Sequence, residues 1–377
     1  MNFLLIPDKF KGSLTSEEVS KAFMAGVAQA GIESTHTFIK ASDGGDGFMD
    51  AVSQYKRCIA VQLISRDPLG RPLRSHYLYN QESKAAYIEM AKSSGMVLLS
   101  AQERNPMLTS TYGTGLEIRD AIEKGVKHIY VGLGGSATSD GGMGIAHALG
   151  FQFLDTDGNP LEPMGENLSK ISSIDDTGVH VLLKQVSFYA INDVTNPLYG
   201  QKGAAHVYAA QKGADEAMIQ QLDAGLQNLD KVVSVQMQKQ YAEIPGSGAA
   251  GGTAYGLKCF LGAAYLSGID FVLELSGVRQ ILAQEPFDFL VTGEGKIDEQ
   301  TLNGKLIQGV VHLATEFEVP VLAVCGKRDV ALEILQKRGV QDVLEIQDAA
   351  KDLEYNMRNA AVLLMEKTAN YFKNRLK

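Results

Sequence analysis

Short apolar runs at both ends of the chain constrain the fold more than any other feature of the sequence. A continuous apolar run is typical of a strand that is buried on both faces of a parallel sheet. Segments with helical spacing separate the runs, which are FLLI (3–6), STHTFI (34–39), FDFLV (287–291), VPVLAV (319–324) and VLEI (343–346). This alternation predicts an α/β fold with a small, doubly wound parallel sheet assembled from the two ends of the chain.

The segment after the first run has the signature of a helix start. Thr15 and Glu18 have the spacing of a capping box, and Val19, Phe23 and Val27 follow at helical spacing. A strand, a helix and a second strand therefore form the predicted first unit of the sheet. A later helix is predicted by the apolar stripe Leu306, Val310 and Leu313.

The middle of the chain is less regular and predicts a second α/β domain inserted into the first. Residues 59–79 have the pattern of a hairpin with its turn at Pro68 and Gly70, and HIYVGL (128–133) and VSFYAI (186–191) predict further strands. A length of 377 residues also favours about two domains. The predicted domains are residues 1–58 with 284–377, and residues 59–283.

Charge and cysteine usage exclude several classes of protein. A formal net charge of -9 argues against a broad nucleic-acid surface, because such surfaces are basic. Cys58, Cys259 and Cys325 are widely spaced without a metal-binding pattern, which predicts reduced thiols and a cytoplasmic protein. No uncharged apolar run approaches the roughly 18 residues of a membrane span, so no membrane partner is expected. The histidines lack metal spacing and no G-x-S-x-G motif occurs, which disfavours zinc and hydrolytic chemistry.

Polar, glycine-rich loops follow the predicted strands. Ligands of doubly wound sheets bind at the carboxyl ends of the strands, where helix N-termini and backbone donors gather. We therefore predict that these loops line one cleft. The loops are PDKFKGS (7–13), ASDGGDG (41–47), GLGGSATSDGG (132–142), NDVTNPLYGQKGA (192–204), GSGAAGG (246–252), TGEGKID (292–298) and CGK (325–327).

The loop over 132–142 is the strongest candidate for phosphate binding. Successive glycine amides can form a concave nest for phosphate oxygens, which larger side chains would obstruct. A lone glycine-rich turn is more often structural, and residues 246–251 match G-x-G-x-x-G but follow Pro245 rather than a strand. Residues 132–137 follow a strand but lack the acidic partner of a dinucleotide site, so a nicotinamide enzyme stays a weak alternative. Neither a Walker A motif nor a protein-kinase signature is present.

Acids and lysines at the strand ends have two interpretations. Each acid alone is typical of a helix cap, whereas several together favour a site, because like charges repel unless a cation or a function holds them. The lysines fit either solvated surface positions or the neutralisation of phosphate and carboxylate. The acids are Asp8, Asp43, Asp46, Asp193, Glu294 and Asp298, and the lysines are Lys9, Lys11, Lys296 and Lys305.

Eight motifs in order resemble the bacterial glycerate kinase family of the type that phosphorylates the 2-hydroxyl. They are PDKFKGSLTSEEV, DGGDG, RDPLGRPL, TSTYGTG, GLGGSATSDGG, DVTNPLYGQKGA, GSGAAGG and TGEGKIDEQTLNGK, spread from residue 7 to residue 305. The resemblance implies a flavodoxin-like domain that carries a large inserted α/β domain. It also implies transfer of phosphate from ATP to D-glycerate, giving 2-phosphoglycerate and ADP, with Mg²⁺. The second loop departs from the usual A-D-G-G-E-G-T at Ser42, Asp46 and Phe48.

The resemblance and the loops together predict roles for individual residues. Asp193 is the candidate to orient or deprotonate the hydroxyl, with Lys9 and Lys11 also catalytic. Lys9, Lys11 and Ser13 are predicted to bind substrate, and Asp43, Glu294 and Asp298 to bind Mg²⁺. The predicted nucleotide contacts are Gly134, Gly135, Ser136, Thr138, Gly248 and Gly251.

The expected partners are ATP and D-glycerate, with no nucleic acid and no membrane, and a homo-oligomer is one option for the assembly. Two alternatives to the glycerate reaction stay open. One is a kinase of a related small hydroxy acid, and the other is a non-catalytic sensor of a nucleotide or metabolite.

Overall fold

The computed structural model describes residues 1–40, 47–298 and 306–375. The chain divides into two compact units: unit 1 comprises Met1–Ser42 and Ile269–Lys377, and unit 2 comprises Asp43–Gly268. The strands are β1 (Asn2–Pro7), β2 (Thr35–Phe38), β3 (Ile59–Arg66), β4 (Pro72–Asn80), β5 (Ala85–Glu89), β6 (His128–Gly132), β7 (Gln152–Leu154), β8 (Ser173–Asp175), β9 (Ser187–Ile191), β10 (Ala264–Leu266), β11 (Phe289–Ile297), β12 (Val321–Arg328) and β13 (Val340–Glu345).

Helices connect most of these strands. They are α1 (Ser16–Gln29), α2 (Phe48–Tyr55), α3 (Ala91–Ser94), α4 (Tyr112–Glu123), α5 (Met143–Ala148), α6 (Ala204–Tyr208), α7 (Glu216–Met237), α8 (Ala249–Leu261), α9 (Gly268–Ser276), α10 (Val278–Gln284), α11 (Leu306–Glu316), α12 (Leu332–Gln336), α13 (Leu353–Arg358) and α14 (Ala360–Arg375). Short 3-10 helices cover Met96–Leu98, Ala101–Glu103, Gly165–Lys170, Val181–Gln185 and Ala210–Lys212. Among the described residues, no helix combines the length and the apolar character needed to cross a membrane.

Unit 1 contains a five-stranded parallel sheet in the order β13-β12-β11-β1-β2. Leu5 lies opposite Val291, and Val291 lies opposite Leu322, so the apolar runs from the two ends of the chain form one buried layer. The five predicted strands are therefore confirmed. Most of their apolar side chains are buried, since helices α1 and α14 pack beside the sheet, where Phe372 contacts Phe3 at a ring-centroid distance of 5.6 Å.

Two predicted loops of unit 1 are strands in the structure. The stretch TGEGKID was predicted to follow a strand, but β11 continues to Ile297; likewise CGK lies within β12. The reason is steric: a Cβ at Gly293 would lie 2.0 Å from the carbonyl oxygen of Val324, so only glycine allows the two backbones to pair so closely here. Glu294 therefore belongs to the strand rather than to a loop.

Helix α1 begins as its sequence predicts. Thr15 Oγ1 accepts a hydrogen bond from the Glu18 amide at 3.2 Å, and Glu18 Oε2 accepts one from the Thr15 amide at 2.8 Å. Val19, Phe23 and Val27 are buried, so the capping box and the helical stripe are both confirmed.

Unit 2 is built on a six-stranded mixed sheet in the order β10-β9-β6-β5-β4-β3, with a separate two-stranded pair of β7 and β8. Strands β5, β6, β9 and β10 are parallel, so their carboxyl ends share one edge of the sheet. Strands β3 and β4 form the predicted antiparallel hairpin. Its turn is held by buried Asp67, which accepts from the amides of Leu69 and Arg71 at 2.9 Å each.

A buried carboxyl group lies on helix α4. Glu117 is fully enclosed, and its Oε1 accepts a hydrogen bond from the Ser75 hydroxyl at 2.6 Å. Burial raises the pKa of Glu117 to about 8, because hydrogen bonds from Ser75 and Ser93 offset the lost hydration only in part. At neutral pH this side chain therefore carries a proton in the folded protein.

Replacing this carboxyl group is expected to flatten the pH dependence of stability. Above a pH of about 4.5 the unfolded chain releases the Glu117 proton and the native state keeps it, so native stability falls as pH rises toward about 8, by up to ~1.4 kcal/mol per pH unit. Glu117→Gln keeps the acceptor for Ser75 and removes the titration. Urea unfolding between about pH 5.5 and pH 7.5 measures the effect, with exposed Glu123→Gln on the same helix as control. If the free energy of unfolding changes with pH by the same amount in Glu117→Gln and in the parent protein, this expectation is contradicted.

Candidate active site

The loop between β6 and α5 presents unused backbone donors. Within the described residues, the amides of Gly134, Gly135 and Ser136 donate no hydrogen bond to the protein. Gly134 and Gly135 are partly exposed, and Gly135 has a left-handed φ of 73°. These amides are therefore available to an anion, as the glycine-rich sequence predicts.

The rest of this loop is fixed by its neighbours. The Met96 amide donates to the Gly135 carbonyl at 2.9 Å, and the Ala137 amide donates to the Ser94 carbonyl at 2.8 Å. The Thr109 hydroxyl donates to the Ala137 carbonyl at 2.9 Å. These contacts order the loop before any ligand binds, which reduces the entropy cost of binding.

Asp140 anchors the far end of the loop. Its carboxylate is fully buried and accepts from the Thr111 amide at 2.8 Å, the Thr111 hydroxyl at 2.7 Å, and the Gly142 and Gly144 amides at 3.1 Å each. Burial raises the pKa of Asp140, although all four donors oppose that change. With its oxygens occupied in this way, Asp140 ties the loop to the start of α4 rather than facing a ligand.

Lys212, which the sequence patterns did not indicate, supports the same loop from within unit 2. Its ammonium donates to the Thr138 carbonyl at 2.6 Å and to the Ser136 hydroxyl at 3.1 Å, and only 3% of the residue is exposed. Burial lowers the pKa of Lys212 to about 7, while the charge of Asp140 opposes the shift. The sequence around it gave no signal of burial: the tetrapeptide Gln-Lys-Gly-Ala occurs at 201–204 and again at 211–214, and the corresponding Lys202 is exposed.

The second glycine-rich stretch packs against the first. Gly251 has a φ of 66°, and a Cβ on it would lie 2.1 Å from the Thr138 carbonyl oxygen, while its own carbonyl accepts from the Gly141 amide at 3.1 Å. A Cβ on Gly248 would lie 2.3 Å from the Pro197 carbonyl oxygen. Both positions therefore need glycine for close packing, and their role in nucleotide binding stays a prediction.

The residues of the 132–142 loop that are predicted to bind the nucleotide differ in their exposure to solvent. Gly134 and Gly135 are partly exposed, whereas Ser136 and Thr138 are buried. In the described residues, the Thr138 hydroxyl has no hydrogen-bond partner. The structure brings Gly251 against this group of residues, and direct contact of Thr138 with a ligand stays a prediction.

Asp193 follows β9 at the carboxyl end, next to the end of β6. Strand β9 pairs in parallel with β6, with Ile191 opposite Gly132, so Asp193 and the 132–142 loop share one edge of the sheet. Asp193 is partly buried, and its Oδ1 accepts from the Gly268 amide at 3.0 Å. The carboxylate therefore has a fixed position, which a group that orients a substrate requires.

The predicted substrate residues lie on the loop after β1 in unit 1. Phe10 and Leu14 pair through hydrogen bonds of 2.8 and 3.0 Å, which closes the loop into a tight turn, and the Ser13 hydroxyl donates to the Phe10 carbonyl at 3.1 Å. Lys11 is exposed and Lys9 is partly exposed, so both ammonium groups can meet solvent or ligand.

The carboxyl ends of β11 and β12 carry a network of ion pairs. Lys296 Nζ lies 3.4 Å from Asp298 Oδ2 and 2.9 Å from Asp329 Oδ2, and Lys327 Nζ lies 2.8 Å from Asp329 Oδ1. Hydrogen bonds from Lys327 and Lys296 lower the pKa of Asp329. The predicted acid Asp298 is thus near a lysine that also pairs with Asp329, which is not among the acids predicted for the site.

The predicted magnesium ligands can be compared with the structure only in part. Glu294 lies on β11 and Asp298 follows it directly, whereas Asp43 lies outside the described residues, as do Ser42, Asp46 and Lys305. Carboxylate oxygens are the donors that Mg²⁺ prefers, and it commonly takes one or two of them together with substrate phosphates, so this pair fits by donor type. Of the residues in the described ranges, no three His, Cys, Asp or Glu side chains group as a metal centre.

Parallel α/β sheets with free amides and fixed carboxylates at their strand ends are typical of enzymes that bind phosphorylated small molecules. The sequence profile of the glycerate kinase family matches residues 3–375. The chain therefore belongs to the glycerate kinase family, and the resemblance noted in the ordered motifs is confirmed.

Individual relatives agree with the family match. A glycerate kinase of Halalkalibacterium halodurans is 36% identical over 98% of this chain and 97% of its own length. A glycerate 2-kinase of Escherichia coli K12 is 33% identical over 96% of this chain and 94% of its own length. A crystal structure of a candidate glycerate kinase 2 from Salmonella typhimurium LT2 has a TM-score of 0.80 at 32% identity and covers 100% of this chain and 98% of that one.

Proposed function

We propose that the protein transfers the terminal phosphoryl group of ATP to the 2-hydroxyl of D-glycerate, which gives 2-phosphoglycerate and ADP. The family membership supports glycerate as acceptor and ATP as donor. The observation that carries the proposal on this chain is the set of unused amides at Gly134, Gly135 and Ser136, one strand away from the fixed carboxylate of Asp193. Phosphoryl transfer depends mainly on alignment and charge neutralisation, which these groups can supply.

We also propose that unit 1 has the flavodoxin-like, doubly wound layout and that unit 2 is the large inserted α/β domain. Numbered within its own sheet, the strand order of unit 1 is 2-1-3-4-5, which is the flavodoxin-like order. The insertion is supported by the chain order, because unit 1 combines residues from both ends of the sequence. The boundaries of the inserted domain, residues 59–283, stay a prediction.

Unit 2 is assigned the nucleotide. The amides of Gly134 and Gly135 would donate to phosphate oxygens of ATP, with Ser136 beside them and with Gly248 and Gly251 in the supporting layer. Asp193 would accept the proton of the glycerate hydroxyl or orient that hydroxyl for attack.

Unit 1 is assigned the acceptor and the metal. Lys9 and Lys11 would bind the glycerate carboxylate or the transferring phosphoryl group, with Ser13 shaping their loop. Glu294 and Asp298, together with Asp43, would hold Mg²⁺, which when bound neutralises negative charge on phosphate oxygens. We further propose a cytoplasmic location, supported by three unpaired cysteines, Cys58, Cys259 and Cys325.

Phosphorus NMR of a reaction containing ATP, Mg²⁺ and D-glycerate tests the function. The expected product is 2-phosphoglycerate with stoichiometric ADP. A product phosphorylated at the 3-hydroxyl would contradict the proposed regiochemistry. Faster ADP release with another small hydroxy acid would favour the related-kinase alternative, and nucleotide binding without ADP release from any acceptor would favour a sensor.

Lys11 provides a test of the acceptor assignment. Lys11→Ala is expected to raise KM for D-glycerate by about tenfold, because a charge-assisted hydrogen bond contributes about 1.5–3 kcal/mol and part of that contribution is replaced by water. Stability should change little, since the side chain is exposed. Steady-state kinetics at saturating ATP measure the change. An unchanged KM and kcat would assign Lys11 to the solvated surface instead.

A further inference from the structure

Within the described residues, the buried ammonium of Lys212 donates hydrogen bonds to the 132–142 loop and to no carboxylate. Its two hydrogen-bond acceptors are the Thr138 carbonyl and the Ser136 hydroxyl, at 2.6 and 3.1 Å. Removing a lysine from water costs several kcal/mol unless its contacts compensate. A buried cation whose contacts all lie on one loop therefore fixes that loop strongly.

The contact with Ser136 determines how that side chain can interact with a ligand. A serine hydroxyl has one proton and accepts through its lone pairs, and the ammonium of Lys212 has only protons to give. When Lys212 is charged, Ser136 Oγ therefore accepts from it, which leaves the hydroxyl proton for another acceptor. In the described part of the chain the Ser136 hydroxyl donates to no protein group.

The same contacts orient the backbone of the loop. Lys212 holds the Thr138 carbonyl on one side, and the Ser94 carbonyl holds the Ala137 amide on the other. The amides of Gly134, Gly135 and Ser136 then form the part of the loop that has no partner in the described residues. Asp140 is saturated by its four donors, so it completes the support at the other end of the loop rather than pairing with Lys212 by a hydrogen bond.

We propose that Lys212 is a positioning residue for nucleotide binding: it holds the Gly134–Thr138 segment in its phosphate-binding conformation and turns the Ser136 hydroxyl into a donor for a phosphate oxygen. The proposal rests on the assignment of ATP phosphates to this loop. It adds to that assignment a buried residue that never contacts the ligand and acts through Ser136 and Thr138.

The test compares ADP with adenosine. Lys212→Met keeps an apolar stem and removes the ammonium, so ADP binding is expected to weaken about tenfold or more, the effect of losing a charge-assisted contact. Adenosine has no phosphate, so its Kd should change less than about twofold. In the assay, KM for ATP should rise and kcat fall while KM for D-glycerate is kept. Calorimetric titration of each ligand at a temperature well below Tm gives the Kd values.

Lys239→Met is the matched control. The Lys239 ammonium also donates to a backbone carbonyl, that of Cys259, and it lies in the same unit but not on the 132–142 loop. The control should lose stability and keep the ADP affinity of the parent protein. Unchanged ADP affinity in Lys212→Met, with or without a lower Tm, would overturn the proposal, because a purely structural lysine lowers stability without separating ADP from adenosine.

Ser136→Ala gives a second route if Lys212→Met does not fold. It leaves Lys212 bound to Thr138 and removes the hydroxyl, so ADP affinity should fall while adenosine affinity is unchanged; equal ADP affinity would overturn the role given to Ser136. If both variants fold, their effects on ADP binding should be less than additive in the double variant, since one residue acts through the other. If the parent protein releases no ADP with D-glycerate, the proposed function fails, and the comparison of ADP with adenosine still decides the role of Lys212.

Discussion

Asp193→Asn is expected to lower kcat by about 10²–10⁴, the range for the loss of a general base, with little change in stability. The Asp193 carboxylate accepts from the Gly268 amide at 3.0 Å, and the side-chain oxygen of asparagine can accept the same hydrogen bond. The variant therefore keeps this hydrogen bond and loses the capacity to take a proton.

Buried Asp223 supplies the control for this experiment. Asp223 Oδ1 accepts from the Gly200 amide at 2.7 Å, and its Oδ2 accepts from Gln227. Asp223→Asn therefore changes a carboxylate that holds a glycine amide in the same unit, and it should retain the kcat of the parent protein. Steady-state rates at saturating ATP and D-glycerate measure both variants. A kcat within a few-fold of the parent value for Asp193→Asn would remove this residue from the chemistry.

Strands of the unit 1 sheet could be predicted because burial on both faces gives a continuous apolar run in the sequence, whereas β5 and β10 of the unit 2 sheet were not predicted. Residues 3–6 lie in β1 and residues 321–324 lie in β12, and all of them are apolar and buried. The predicted end of β11 was wrong for a related reason. The sequence TGEGKI is polar and rich in glycine, which is typical of loops, but the glycines serve close strand pairing beside Val324. Local composition cannot separate these two uses of glycine, since the difference depends on the neighbouring strand.

The candidate site shows the same limit. The 132–142 loop could be selected from its glycines and its position after a strand, and the free amides agree with that selection. Lys212 could not be selected, because a lysine in a short polar segment is usually on the surface. Its burial results from tertiary contacts with Ser136 and Thr138, which are far from it in sequence. A residue that supports a loop through tertiary contacts has no characteristic sequence pattern. The glycines that form the loop do have such a pattern.

Gly251→Ala is expected to destabilise the protein by about 2–4 kcal/mol and to weaken ADP binding. Two costs add at this position. A left-handed φ of 66° costs an alanine about 1 kcal/mol, and the new Cβ would lie 2.1 Å from the Thr138 carbonyl oxygen, which forces backbone against backbone at an overpacking cost of about 1–3 kcal/mol. Since Lys212 holds the same carbonyl, the displacement reaches the segment with the unused amides.

Gly262→Ala separates the two costs. Gly262 ends the same helix α8 with a φ of 70°, but a Cβ there would meet no atom within 4 Å, so this variant has only the backbone cost of about 1 kcal/mol. Urea unfolding should therefore show Gly251→Ala as the less stable variant by at least about 1 kcal/mol, and only Gly251→Ala should change the Kd of ADP. Equal losses of stability in the two variants would mean that the backbone at Thr138 moves away from the new Cβ at little cost in free energy. In that case the contacts of Gly251 and Lys212 would not be what holds the loop in its phosphate-binding conformation.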